Sequence, residues 1–222
     1  MAMAPKIEQF KDMARQARKD LFDQTHPIGR LSLVQSAMLG GDTLVTISLA
    51  GSLFFSISPD AADHEVLLYL LFTIAPFAIV SPLLGPLIDR NRGARRIMVV
   101  ASGAGRIILC PLMATHLHSF LLFPLAFCVL VCSKLYLVTK GALVPEMSAL
   151  NGPDESGEQA GYATLNARLT LLGTVSGFVV SVPGVILYKL GGSPAVLIFA
   201  TLVFVAATVA GARLPVLVTR QG

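Results

Sequence analysis

Charged residues are scarce in this sequence: Asp, Glu, Lys and Arg together make up 14% of its 222 positions. A soluble domain carries about 25% charged residues, because charge has to cover a water-exposed surface. The scarcity therefore excludes a chain whose entire surface faces water. Hydrophobic residues account for 54% of the sequence and the mean hydropathy is +0.72, which indicates an integral membrane protein.

The sequence also lacks the usual marks of an enzyme. It has no metal-binding constellation, no nucleotide-binding loop and no nucleophile paired with a base, so neither catalysis nor a bound cofactor or metal is expected. Cys110, Cys128 and Cys132 lie in apolar stretches and are interpreted as small buried hydrophobes. A soft metal bound by Cys128 and Cys132, four residues apart, is the alternative. His116 and His118 are interpreted as part of a polar turn, with a metal site as the alternative.

Long apolar runs are present instead, and about 20 such residues are needed to cross a bilayer. Each run is expected to be helical, because lipid cannot satisfy exposed backbone groups. We predict an all-α integral membrane protein with six spans in a three-plus-three inverted repeat. The predicted spans are residues 33–57, 66–88, 97–115, 120–143, 162–188 and 195–212. The predicted units are residues 1–30, a first repeat over 31–115, a second over 116–213, and a tail over 214–222.

Lysine and arginine placement predicts the orientation of these spans. Basic residues concentrate before the first span, after the second and in the tail, so both termini are expected in the cytoplasm. Residues 4–24 combine apolar positions at helical spacing with basic residues, which predicts an amphipathic helix lying on the cytoplasmic surface of the membrane. The formal net charge of +4 is therefore assigned to topology and lipid contact, and no nucleic-acid partner is expected.

Two short stretches support the repeat. The stretches are "GPLIDRNRG" (85–93) and "GVILYKLGG" (184–192). Each begins with a glycine, has a basic residue five positions after it and has another glycine eight positions after it. Inverted repeats of this kind are found in secondary transporters. The first stretch, extended to Arg95 and Arg96, resembles the loop between the second and third helices of the major facilitator superfamily. The stretches "KGALVPEM" (140–147) and "ATLNARL" (163–169) are similar to enterobactin-exporter-type permeases.

The resemblance implies the N-terminal half of such a transporter. In that family this loop acts as a cytoplasmic gate, so the expected gating residues are Gly85, Asp89, Arg90, Gly93, Arg95 and Arg96. The implied partners are the lipid bilayer, a small-molecule substrate with protons as a candidate coupling ion, and a second six-helix bundle. That bundle is expected to be either a missing C-terminal half or a second copy. The implied location is a bacterial cytoplasmic (inner) membrane.

Ionisable residues within predicted spans are functional candidates, because a charge at bilayer depth costs about 2.5–3.5 kcal/mol on insertion scales. Asp42 and Arg106 are each the tenth residue of their span, near the middle of the membrane. Either they form an internal ion pair, or Asp42 titrates and couples protons to substrate. The predicted substrate and coupling candidates are Asp42, Arg106, Lys134, Asn166 and Arg168. The expected function is secondary-active transport of a small organic solute, with efflux as the favoured direction; the alternative is a non-transporting six-helix scaffold.

Overall fold

The computed structural model describes residues 27–54, 94–117, 119, 121–149 and 158–214. These residues form four helices: α1 (Pro27–Phe54), α2 (Ala94–Thr115), α3 (Leu122–Ala149) and α4 (Glu158–Ala212). The predicted all-α class is confirmed for this part of the chain. The predicted N-terminal amphipathic helix and the predicted span 66–88 lie outside the described residues.

Each of the four helices is long and apolar enough to cross a membrane. The apolar stretches are Ile28–Ser52, Arg95–Thr115, Leu122–Pro145 and Tyr162–Ala212. Many of their large apolar side chains point outwards; Phe178 and Leu190 of α4 are 72% and 81% exposed. Outward apolar side chains are costly in water and favourable in lipid. The architecture is therefore compatible with an integral membrane protein.

A short turn joins α2 to α3. The His116 amide donates to the Met113 carbonyl at 3.1 Å, and the Leu122 amide donates to the Ser119 carbonyl at 3.0 Å. These bonds satisfy backbone groups at the end of one helix and the start of the next. The helix α2 ends at Thr115 as predicted, and α3 begins at Leu122, so the predicted break between the two spans is confirmed.

Helix α4 changes direction at Gly192. We call the residues before Gly192 the first arm and those after it the second arm. The Ser176 hydroxyl of the first arm donates to the Ser36 carbonyl at 2.7 Å, and the Ser193 hydroxyl, next to Gly192, donates to the Ser48 carbonyl at 3.0 Å. The residue numbers rise together in the two helices, so the first arm runs parallel to α1. After Gly192 the order is reversed, because Arg213 lies beside Arg30. Gly192 has φ 68° and ψ −166°, a conformation that is essentially restricted to glycine. A single residue therefore turns the second arm back along α1.

The predicted six-helix, three-plus-three repeat is wrong, because the described part of the chain contains four helices. Predicted spans 162–188 and 195–212 both fall within α4. The hydropathy pattern indicates a break where "KLGGSP" interrupts the apolar run. In the structure only Gly192 leaves the helical conformation, so no loop separates the two arms.

The core lies where α4 packs against α1 and α2. Helix α4 packs most extensively on α1 and then on α2, whereas α3 packs mainly on α2. Met38 and Leu44 of α1, Met113 of α2 and Phe204 of α4 are fully buried. This apolar packing surrounds several buried polar side chains near the middle of α1 and α2.

Candidate functional site

Asp42 lies in the middle of α1, and its neighbours allow close helix packing. A Cβ atom added to Gly41 would lie 2.5 Å from Cε1 of Phe204 on α4. The absence of a side chain at Gly41 therefore lets the second arm of α4 approach α1. The Asp42 side chain is 31% exposed, so its carboxylate is open to its surroundings on one side.

Arg106 of α2 is the principal partner of this carboxylate. Its Nη1 atom lies 3.5 Å from Oδ1 of Asp42 and 3.0 Å from the Met38 sulfur. Its Cζ atom lies 5.0 Å from the centroid of the Phe204 ring, a cation–π distance. The Arg106 side chain is 0% exposed. The internal ion pair is present, and it joins α1 to α2 with α4 stacked on the guanidinium.

Helix α3 completes the surroundings of Asp42. The Ser133 hydroxyl donates to Oδ1 of Asp42 at 3.0 Å. Lys134, the next residue, is half-buried and within electrostatic reach of the same carboxylate. Asp42 is thus held by groups from α2 and α3. Three of the four described helices meet at this single carboxylate.

The guanidinium of Arg106 is only partly satisfied. Its Nε and Nη2 atoms are buried and have no hydrogen-bond acceptor among the described residues. A buried donor without an acceptor costs about 1–3 kcal/mol, and more if it is charged. These two N–H groups form the side edge of the guanidinium, opposite the one that faces Asp42. One edge of the guanidinium therefore carries two buried donors that make no hydrogen bond to the described residues.

Three polar residues of low exposure near this site were missed by the sequence analysis. The Tyr136 hydroxyl on α3 donates to Oε1 of Gln35 on α1 at 2.7 Å, and both side chains are buried. Gln35 precedes Asp42 by seven residues, which is two helical turns, so the two share a face of α1. Lys140, one turn beyond Tyr136, is also buried. Polar residues at heptad spacing were the signal that could have found them.

Arginines gather at one end of the bundle, where α1 and α2 begin and α4 ends. Arg30 donates to the Arg213 carbonyl at 2.9 Å, Arg95 donates to the Ala142 carbonyl at 3.3 Å, and Arg96 donates to the Ala212 carbonyl. Cations at the carbonyl end of a helix are favourable, because the helix dipole is negative there. We call this set, Arg30, Arg95, Arg96 and Arg213, the arginine end.

The structure describes two of the six predicted gating residues, Arg95 and Arg96, and both lie at this end. Arg95 and Arg96 contact carbonyls of α3 and α4 within the same chain. Gly85, Asp89, Arg90 and Gly93 lie outside the described residues, so their role stays a prediction.

The last two predicted candidates lie on the first arm of α4. Asn166 is exposed and Arg168 is half-buried. Ser176 of the same arm lies beside Ser36 of α1. Arg168 lies about two helical turns before Ser176, on the side of the arginine end. The structure does not bring Asn166 into contact with Asp42 or Arg106 within its described part. Their role as substrate contacts stays a prediction.

The cysteines of the described helices are free thiols. Cys110 is buried, Cys132 is half-buried and Cys128 is exposed. Cys128 and Cys132 therefore differ in environment although they are one turn apart. Within the described residues no group of three or more His, Cys, Asp or Glu side chains is placed to hold a metal ion.

Comparisons with known proteins find relatives in mycobacteria. An uncharacterized protein of Mycobacterium leprae (strain TN) is 32% identical over 143 residues, which cover 61% of this chain and 23% of that protein. An uncharacterized protein of Mycobacterium tuberculosis (strain H37Rv) is 30% identical over 196 residues, covering 81% of this chain and 32% of that protein. The chain thus spans a third or less of the length of these curated relatives. No family model and no solved structure matches the sequence.

Proposed function

We propose that this chain is part of a secondary-active membrane transporter that exports a small organic solute by alternating access. The observation that carries the proposal is the Asp42–Arg106 pair between helices that are apolar enough to cross a membrane. Charges in such helices usually face a cavity or a partner and mark substrate or ion pathways. The resemblance of residues 85–96 to the gating loop of the major facilitator superfamily points to the same activity.

Asp42 is the proposed coupling residue. Its carboxylate is partly exposed while the opposing guanidinium is fully buried, so an incoming proton or cation reaches Asp42 first. Neutralising Asp42 would loosen its hold on Arg106 and on Ser133 of α3. These contacts join three helices, so their loss would favour a different helix arrangement. A transporter needs two arrangements separated by only a few kcal/mol.

The proposed location is the bacterial cytoplasmic membrane, with the arginine end in the cytoplasm. Basic residues near the ends of membrane helices favour the cytoplasmic side. Arg30, Arg96 and Arg213 meet at one end of the bundle, which gives that end a consistent charge. The gating loop, which leads into Arg95 and Arg96, belongs to this side.

A second helical bundle is the proposed partner for alternating access. Rocking transport requires two bodies that face each other across the substrate path. The curated relatives are about three or more times the length of the matched segment. A further part of a longer chain or a second copy of this one would supply the opposing body.

Transport by the reconstituted protein tests the proposal. The chain is placed in liposomes at a density that lets copies assemble, and uptake of succinate, alanine and ethidium is measured under an imposed pH gradient. We expect flux of at least one probe in the unmodified protein and at least a tenfold loss in Asp42→Asn. Thr46→Val is the matched control, because Thr46 is an exposed residue one turn further along α1.

Equal flux above background in unmodified and Asp42→Asn liposomes would contradict the coupling role of Asp42. Flux no higher than in protein-free liposomes would contradict transport and would favour the second candidate, a non-transporting membrane scaffold. The feature that favours a scaffold is the exposed apolar face of α4, which includes Phe178, Val182 and Leu190. Such a face can pack against another membrane protein as well as against lipid.

A further inference from the structure

A row of polar side chains follows one face of α3. Ser133, Tyr136 and Lys140 are separated by three and four residues, so they lie on the same side of the helix. Ser133 contacts Asp42 and Tyr136 contacts Gln35, and both of these partners belong to α1. The row therefore leads from the Asp42–Arg106 pair towards the arginine end.

Lys140 ends this row without a counter-charge. Its residue is only 5% exposed, and it has no hydrogen bond or ion pair among the residues that the structure describes. The ammonium tip of Lys140 is accessible while most of its side chain is enclosed, so a counter-ion can reach the tip. An anion that reaches Lys140 would supply the missing charge.

At the other end of the row, Arg106 has two hydrogen-bond donors without an acceptor among the described residues. Nη1 faces Asp42, whereas Nε and Nη2 have no acceptor within the described part of the chain. Nε–H and Nη2–H point the same way and match the two oxygens of a carboxylate or phosphate. The edge needed for bidentate anion binding is thus already oriented, with Phe204 stacked on the guanidinium plane.

Basic groups are grouped along this row. Arg106 and Lys134 already face Asp42. Lys140 adds a further positive charge. Ser133 and Lys140 are seven residues apart, which is about 10 Å along the helix axis, and Gln35 and Tyr136 lie between them.

We propose that Arg106 and Lys140 form the two ends of a binding site for a small organic anion that carries a carboxylate or phosphate group. The anion receives two hydrogen bonds from the free edge of Arg106 and an ionic contact from Lys140. This inference rests on the proposed function and assigns it a substrate class. An anionic lipid headgroup offers the same chemistry as a free solute, since both present phosphate or carboxylate oxygens.

Thermal unfolding of the full chain in phosphatidylcholine nanodiscs tests the site. Benzoate and inorganic phosphate are the anionic probes, and benzylammonium is the cationic control. We expect benzoate or phosphate to raise the melting temperature of the unmodified protein, and benzylammonium to leave it unchanged. The half-maximal concentration should rise at least tenfold in Lys140→Gln and in Arg106→Lys, which keeps the charge but removes the two-donor edge. Lys189→Gln, at an exposed lysine, should behave like the unmodified protein.

Lys140→Gln has a second signature. Lys140 makes no hydrogen bond or ion pair among the described residues, so Lys140→Gln should leave the melting temperature without ligand unchanged even as it weakens the effect of the anion. This combination separates a binding residue from a structural one, because loss of a structural residue lowers stability. Identical anion responses in Lys140→Gln and Lys189→Gln would overturn the proposal, as would the absence of any response to either anion in the unmodified protein.

Nanodiscs that contain phosphatidylglycerol distinguish the two sources of the anion. If this lipid alone produces the Lys140-dependent stabilisation and benzoate adds nothing, the site binds headgroups; if benzoate still adds its effect, the site binds a soluble anion. Either result supports the anion site. Anion binding without flux in liposomes would contradict transport alone, and flux with no Lys140-dependent binding would contradict the anion site alone.

Discussion

At the scale of single residues, the Asp42–Arg106 pair combines a partly exposed anion with a fully buried cation. Removing one member of a buried ion pair is more harmful than removing both, because the remaining charge loses its partner. Comparing the stability of the single and double variants of Asp42 and Arg106 therefore shows whether the two side chains stabilise the fold as a pair.

The pair can be examined by a double-mutant cycle. Asp42→Asn leaves Arg106 buried without a counter-ion, and we expect it to lower the free energy of unfolding by about 3 kcal/mol, the lower end for a buried pair because Asp42 is partly exposed. The double variant Asp42→Asn, Arg106→Gln should be less destabilised than this single variant. Chemical unfolding in detergent measures both, and additive losses would contradict the coupling.

Gly41 lies against the Phe204 ring, which leaves no room there for a side chain. Gly41→Ala would place a Cβ atom 2.5 Å from Cε1 of Phe204, so the ring or the helix must shift. We expect a loss of about 1–3 kcal/mol in the free energy of unfolding, as for other overpacked cores. Gly141→Ala is the control, because a Cβ there meets nothing within 4 Å. Equal melting temperatures for the two variants would show that α1 and α4 are not closely packed.

At the scale of elements, α4 is the unusual helix. Its two arms both pack along α1, in opposite directions, and they meet at Gly192. Reciprocal hydrogen bonds secure this point: Ser48 and Ser193 each donate to the other's carbonyl, at 3.1 and 3.0 Å. The reversal depends on a backbone conformation that a side chain would disfavour.

Replacing Gly192 should therefore destabilise the reversal. Gly192→Ala requires a non-glycine residue to adopt φ 68° and ψ −166°, at a cost of about 1–3 kcal/mol. The expected result is a lower melting temperature than in Gly141→Ala, which gains the same methyl group in an ordinary helical position. If Gly192→Ala were as stable as this control, the strained conformation would not be required.

Cross-linking tests the direction of the two arms. In a background without the native cysteines, Ser48→Cys with Ser193→Cys should form a disulfide readily, because the side chains already reach each other's backbone. Ser36→Cys with Ser193→Cys is the matched negative pair, since twelve residues separate Ser36 from Ser48, about 18 Å along α1. Efficient cross-linking of this second pair would be incompatible with the packing of α4 on α1.

At the scale of the whole molecule, charge is distributed unevenly along the bundle. Arg30, Arg95, Arg96 and Arg213 occupy the end where α1 and α2 begin and α4 finishes. Lys189 and the reversal of α4 lie at the other end, beside Ser48. This asymmetry allows the proposed orientation to be measured directly.

Accessibility labelling in intact cells measures the orientation. In the cysteine-free background, Lys189→Cys should react with a membrane-impermeant maleimide added outside. Arg213→Cys should react only after the membrane is permeabilised, because the arginine end is proposed to face the cytoplasm. Both positions are exposed, so burial does not account for a difference. The opposite labelling pattern would reverse the proposed orientation.

The sequence by itself determined the class of structure, the end of α2 at Thr115 and the placement of Asp42 and Arg106 well inside their helices. These features follow from hydropathy and length, because bilayer thickness sets how many apolar residues a span needs. Only the tertiary structure decided that Asp42 faces both Arg106 and Ser133, that Tyr136 contacts Gln35 and that Lys140 is buried. It also decided that α4 turns back at one glycine, against the six-span prediction. The physical reason is that partners depend on how each helix is rotated and which helix lies beside it, and packing sets both.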